Sequence, residues 1–256
     1  MSTKNTAKES NASELWGFHQ SLNFIKVLRT YHRHKVSGLD YVPTSGRAIL
    51  VINHAIALYD IIMLWDAIFK SSGRYTRTLV DRFFYKIPFL DKALLNPMGI
   101  NVACWDNARK LLNANELILL SPGGMREWGK PSSQKYTINW SGRKGYAKLA
   151  IQTQSPIILA ASPSADDIFD VYDNPVSKFL YKKFRVPFTL VKGLGPTNLP
   201  KPVKVTHYLS KPIQPPPMVE DPQKFEEAVD KFHEYCQAEM RRMLQEGEKV
   251  GFSQAS

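Results

Sequence analysis

Ala48-Ile49-Leu50-Val51-Ile52-Asn53-His54-Ala55-Ile56-Ala57-Leu58-Tyr59-Asp60 is the stretch whose reading decides the fold. Five apolar residues without alternation, Ala48 to Ile52, read as a short strand buried on both faces, as in a parallel sheet. Asn53 and His54 end it, and Asp60 to Lys70 reads as a helix. A strand feeding a helix is half of a βαβ unit, so His54 falls at the carboxyl edge of the sheet, where open α/β folds hold their sites. A carboxylate near an imidazole fixes its tautomer and makes it a general base. A His and an Asp six apart also occur by chance. Six helical steps of about 100° leave the two side chains on different faces. His54 and Asp60 can meet only if the residues after His54 are not helical, so a loop at Ala55–Ala57 is expected.

Working outward, further strand–helix alternation appears. Strands are expected near Thr76–Val80, over Glu116–Leu120, Pro156–Ala160 and Val203–Leu209. Helices are expected near Leu90–Leu95 and over Asp106–Ala114, Arg143–Thr153, Ser177–Phe184 and Pro222–Gln245, with a turn at Tyr85–Pro88 and a break at Pro97–Gly99. This order predicts an α/β fold with a mostly parallel sheet flanked by helices. Toward the N-terminus, Leu15, Phe18, Leu22, Ile25 and Leu28 recur at helical spacing, with Trp16, Phe24 and Tyr31 widening the stripe. We therefore expect a disordered tail over residues 1–12, an N-terminal amphipathic helix over 13–35 with its trailing basic cluster, one globular domain over 36–246, and a flexible tail over 247–256.

Two further blocks carry chemistry. Leu119-Leu-Ser-Pro-Gly-Gly-Met-Arg-Glu127 ends a strand in a tight turn whose backbone N–H groups can cradle an anion or oxyanion. Gly142-Arg-Lys-Gly-Tyr-Ala-Lys148 opens a helix with two cations beside a glycine, which suits a phosphate-bearing ligand. Each block also has a plain reading, as a turn and as a solvated helix start.

Composition narrows the partners. The formal net charge of +11 favours anionic partners such as lipid headgroups, phosphorylated ligands or nucleic acid. The sequence lacks an Arg-rich run, zinc-finger spacing or an RNA-binding aromatic signature, which argues against nucleic acid. Cys104 and Cys236 fit no disulfide framework or metal spacing, which points to a reducing, intracellular compartment. The polar residues Met1 to Ala12 lack a signal core, and no run of about 18 apolar residues offers a membrane span.

Taken together and in order, His54/Asp60, Pro122 to Glu127, Arg143 to Tyr146 and Pro156-Ile-Ile resemble the glycerolipid acyltransferase superfamily, in its diacylglycerol-acyltransferase-like and phytyl-ester-synthase-like branch. Flanking similarity includes Val36-Ser-Gly-Leu-Asp, Ile87-Pro-Phe-Leu, Met98-Gly-Ile, Asp106-Asn-Ala-Arg-Lys-Leu-Leu and Lys211-Pro-Ile-Gln-Pro-Pro, so the resemblance spans about residues 36 to 245. It implies a glycerol-3-phosphate acyltransferase-like fold and transfer of a fatty acyl group from acyl-CoA or acyl carrier protein to a lipid hydroxyl. The acceptor would be a lysophospholipid, a mono- or diacylglycerol or a long-chain alcohol. His54 would be the base and Asp60 its partner. Pro122, Gly123 and Gly124 would stabilise the oxyanion, Arg126 and Glu127 would hold the acceptor, and Arg143 and Lys144 would meet CoA phosphates. No metal and no cofactor beyond the acyl thioester co-substrate is implied. The sequence departs from the branch pattern at Ala55 and Leu58, where glycine and proline are common, at Ser121, where an aromatic is common, and at Trp105, which stands in place of a polar residue. The last departure weakens the case for a phosphate-bearing acceptor.

Without a spanning helix, an enzyme of this kind would reach lipid from an anionic membrane surface. The 13–31 helix and Ser177-Lys-Phe-Leu-Tyr-Lys-Lys-Phe-Arg185, which mix basic and apolar residues, are its expected contacts. The alternative is a non-catalytic lipid-binding protein that retains the fold. A serine hydrolase would carry a Gly-x-Ser-x-Gly elbow, which is absent, and a Cys104 hydrolase has no supporting motif.

Overall fold

The computed structural model describes residues 23–56, 59–174 and 189–253. The expected tail over 1–12, the first part of the N-terminal helix and the 177–184 helix lie outside the described residues. The described elements are, in chain order, α1 (23–31), β1 (Lys35–Ser37), β2 (Ala48–Ile52), α2 (Tyr59–Ser72), β3 (Thr76–Val80), β4 (Asn101–Val102), α3 (Trp105–Asn113), β5 (Leu117–Leu120), α4 (Met125–Trp128), α5 (Gly145–Thr153), β6 (Ile157–Ala161), β7 (Asp170–Val171), β8 (Val191–Lys192), β9 (Thr206–Leu209) and α6 (Pro222–Ser253).

Among the described residues, seven strands form one sheet in the order β1-β9-β6-β2-β5-β3-β4. All pairings are parallel except β6 with β9. The strand read first is central. All five of its residues are fully buried, and it pairs with β5 through Leu50↔Leu119 and with β6 through Leu50↔Ile158. Alternate residues of β2 serve two cores. Leu50 and Ile52 pack with Leu64, Trp65 and Ile68 of α2 on one face. Ile49 and Val51 share the other core with Leu112 of α3, Ala150 of α5, and Phe232, Met240 and Leu244 of α6. Helices on both faces explain why β2, β5 and β6 are uniformly apolar.

Several elements differ from expectation. The helix over 222–253 runs past Gln245, and β9 is confined to its last four residues. The short strands β1 and β4 and the β7–β8 hairpin carry no strong apolar pattern. Residues 82–98, between β3 and β4, form three short helical turns, Arg82–Lys86, Asp91–Leu95 and Asn96–Met98. Helix α1 buries Ile25 and Leu28 and leaves Phe24, Val27 and Tyr31 exposed on its other side. Arg29 of α1 forms an ion pair with the buried Asp66 of α2, which fixes the helix to the body.

Candidate active site

Parallel pairing of β2 with β5 and β6 puts three strand ends side by side. The chain leaves β2 through Asn53, whose side chain accepts from the Ser162 N–H (2.8 Å) and donates to the Ser162 carbonyl (3.3 Å) just past β6. This double bond locks the two strand ends together. His54 follows, and its backbone N–H donates to Glu127 Oε1 at 2.8 Å. Glu127 Oε2 accepts from the Asn139 N–H at 3.3 Å. Glu127 is fully buried, and burial pushes its carboxyl up to about 7, against the pull of the nearby Lys130 charge. The expected role of holding an acceptor does not match this placement, because both oxygens are spent on backbone. Glu127 instead ties the turn after β5 to the turn after β2.

The Pro122–Glu127 block is built around that carboxylate. A Cβ on Gly123 would lie 1.9 Å from Glu127 Oε2, so only glycine fits there. Gly124 has φ +52, which favours glycine, and its N–H donates to the Ser121 carbonyl at 3.2 Å. Arg143 reaches back from the start of α5 and donates to the carbonyls of Pro122 (3.2 Å) and Gly123 (2.8 Å), bracing the turn. Lys144, expected beside it as a phosphate ligand, forms an ion pair with Asp230 of α6. Arg126 is exposed. Behind the turn, Lys130 is buried with Asp166 at 2.8 Å and donates to the Thr137 carbonyl. The Trp128 indole donates to the Ile56 carbonyl (3.2 Å), which closes the segment after His54.

His54, Ser121, Gly124 and Arg143 open onto one cavity of about 660 Å³. Its wall is predominantly apolar, with Ile61, Trp65, Phe84, Leu95, Trp105 and Leu149 among the lining side chains. Four buried polar atoms on this wall have no hydrogen-bond partner among the described residues: His54 Nδ1, Trp65 Nε1, Thr78 Oγ1 and Ser121 Oγ. An apolar cavity with a few unpaired polar groups has the make-up of a small-molecule site. Burial pushes the His54 imidazole down to about 4, and Lys130 adds to that shift.

The described partner of Asp60 is a histidine other than His54. Residues 53–56 are not helical and α2 is described from Tyr59, in keeping with the expected loop at Ala55 and Ile56; Ala57, the end of that expected loop, lies outside the described residues. No direct hydrogen bond joins His54 to Asp60 among the described residues. Asp60 is buried in the first turn of α2, where its Oδ2 lies 3.7 Å from His207 Nε2 and its Oδ1 has no described partner. His207 Nδ1 is 3.0 Å from His34 Nε2, and His32 bridges the Val203 carbonyl and the Tyr59 hydroxyl. Burial pushes the Asp60 carboxyl up to about 7. This histidine cluster escaped the sequence reading. His34 and His207 are far apart in the chain and come together only through parallel pairing of β1 with β9.

The family model described as Acyltransferase matches residues 33–162, which hold both the His54 and the Pro122–Glu127 blocks. The chain belongs to this acyltransferase family. Within the glycerolipid acyltransferase superfamily, a Bos taurus protein named "DGAT1/2-independent enzyme synthesizing storage lipids" is 30% identical over 220 residues, covering 84% of this chain and 64% of that protein. The Homo sapiens protein of the same name is 29% identical, with 84% and 65% covered. This chain therefore spans slightly less than two thirds of these relatives' length. The crystal structure of the 1-acyl-sn-glycerophosphate acyltransferase PlsC from Thermotoga maritima shares the fold, with a TM-score of 0.52, 17% identity, and coverage of 94% of this chain and 84% of that one. In family terms, the block at His54 and the Pro-Gly-Gly turn sit at one sheet edge, joined through Glu127.

Proposed function

We propose that this acyltransferase-family chain transfers a fatty acyl group from an acyl thioester, acyl-CoA or acyl carrier protein, to a lipid hydroxyl. The observation that carries the reading is the imidazole of His54 on the wall of an apolar cavity, with the Pro122–Gly124 turn beside it. The cavity takes the acyl chain. His54 accepts the proton of the acceptor hydroxyl as its oxygen attacks the thioester carbonyl. The turn stabilises the oxyanion, which collapses to an ester and expels the thiolate, and the imidazolium returns the proton to sulfur. Arg143 braces the turn and lines the cavity, where it meets CoA phosphates, and Arg126 is exposed to solvent.

The lack of a direct His54–Asp60 hydrogen bond bears on this mechanism. Burial holds the His54 imidazole low, which makes it a weak base, and holds the Asp60 carboxyl high, which favours its protonated form. Bringing Asp60 Oδ1 to His54 Nδ1 would raise the imidazole, lower the carboxyl and satisfy two unpaired buried atoms. Catalytic hydrogen bonds often tighten only once substrate is bound. The dyad therefore closes on the acyl donor.

The predominantly apolar wall of the cavity favours mono- or diacylglycerol or a long-chain alcohol over a phosphate-bearing acceptor, and the Bos taurus relative is named for synthesizing storage lipids. Among the described residues no helix is long and apolar enough to cross a membrane, and we place the chain peripherally on a lipid surface. The test is acceptor-dependent thiol release from acyl-CoA with a panel of lipid hydroxyls. Lipid binding without thiol release would identify a non-catalytic lipid-binding chain.

A further inference from the structure

The loop between β3 and β4 exposes apolar side chains where a folded chain normally hides them. Phe89 is 81% exposed and Ile87 is 37% exposed. Phe89 also has φ +65, in the left-handed region where glycine or asparagine is at home and a bulky side chain is an outlier. A phenylalanine held there gives up burial and accepts backbone strain at once. Such outliers concentrate at sites of function. Its neighbours point the other way: Phe84 and Leu90 line the cavity that holds His54. Trp105, at the start of α3, lines the same cavity and is 36% exposed. One short segment thus presents apolar surface both to solvent and to the acyl cavity. It also carries exposed Arg82, Lys86 and Lys92 against Asp81 and Asp91. The Asp81 carboxylate is tied to its own turn through the Phe83 N–H at 2.8 Å.

We infer that the Arg82–Lys92 loop inserts Phe89 and Ile87 into an anionic bilayer surface and sets the cavity mouth against the lipid. The basic residues of the loop meet the headgroups while the two apolar side chains enter the interface. An acceptor lipid then passes from bilayer to cavity along Leu90, Phe84 and Trp105 without crossing bulk water. The inference rests on the acyltransferase reading only for the nature of the cargo; the insertion itself is independent of turnover.

Phe89→Gly separates a membrane role from a structural one. Glycine relieves the positive φ and removes only an exposed side chain, so the melting temperature is expected to stay or rise. In liposome flotation with the full chain, binding to phosphatidylcholine–phosphatidylserine vesicles should fall about tenfold or more, the loss expected when a phenylalanine is withheld from an apolar phase. The double charge reversal Lys86→Glu/Lys92→Glu should remove the preference for anionic over neutral vesicles. Vesicle binding of Phe89→Gly equal to wild type would overturn the inference. So would a fall in its melting temperature like that of a core substitution, or a wild-type dimer that becomes monomeric in the variant with unchanged flotation. Failure of the acyltransferase reading shows separately, as absent thiol release with detergent-dispersed acceptor while flotation still depends on Phe89.

Discussion

Glu127 shows how one buried carboxylate organises this site. Its two oxygens accept from two backbone N–H groups on different loops, those of His54 and Asn139. Glutamine keeps the shape but turns one acceptor into a donor, leaving a buried N–H unpaired. Glu127→Gln is therefore expected to cost about 1–3 kcal/mol in urea unfolding and to slow acyl transfer more than it weakens substrate binding. A variant with wild-type stability and rate would show that the carboxylate does not position His54. The sequence made Glu127 visible through its place in the Pro-Gly-Gly block, yet its role differs from the one expected. No sequence pattern reveals which way a carboxylate faces, and here Gly123 leaves it room to turn inward. Asp60 teaches the same lesson. Its spacing from His54 was legible, but its resting partner, His207, lies on β9, far along the chain, and β9 is placed by its pairing with β1.

At the scale of elements, legibility follows burial. Strands β2, β5 and β6 are covered by helices on both faces, so each is an uninterrupted apolar run that can be read directly. Strands β1 and β4 sit at the two edges of the sheet, are two or three residues long and are only partly buried, so no period marks them. Helix α6 extends beyond its expected end at Gln245, and the core holds it just before that point. Leu244 is fully buried against the same cluster as Ile49 and Val51 of β2. Lys144–Asp230 and Lys148–Glu226 join α6 to α5, but such exposed pairs contribute little. The apolar contacts hold the helix. Leu244→Ala is expected to destabilise the fold by about 3 kcal/mol, whereas Asp230→Ala should change it by well under 1 kcal/mol. Equal losses from the two, measured in one urea series, would contradict this division.

For the molecule as a whole, the buried titratable groups set how stability depends on pH. Burial pushes His34 down to about 2, His207 to about 3 and His54 to about 4, from an ordinary 6.5. Unfolded, these imidazoles take protons near pH 6.5; folded, they do not, so their contribution is complete above 6.5 and is lost as pH falls. Asp60 and Glu127 act in the opposite sense. Their folded values near 7 lie above the ordinary 3.8 and 4.5, so they favour the fold at low pH and cost stability as pH rises toward 7. Burial also lowers His32 and His233 and raises Asp166, so between about 4.5 and 6.5 five imidazoles oppose three carboxyls, and the balance falls to the imidazoles. The urea midpoint should therefore drop as pH is lowered from 6.5 to 4.5; a midpoint that rises would contradict the neutral, buried state of the histidines.

The central claim is that the His54 imidazole at this sheet edge drives acyl transfer. It is tested most directly by ester formation from an acyl thioester and a glycerolipid hydroxyl, followed by mass spectrometry of the product for wild type and His54→Ala. The account expects wild type to form ester with matching thiol release, and His54→Ala to lose activity by about 10²–10⁴-fold with an unchanged circular dichroism spectrum. Ester formation at the wild-type rate by a folded His54→Ala variant would contradict it.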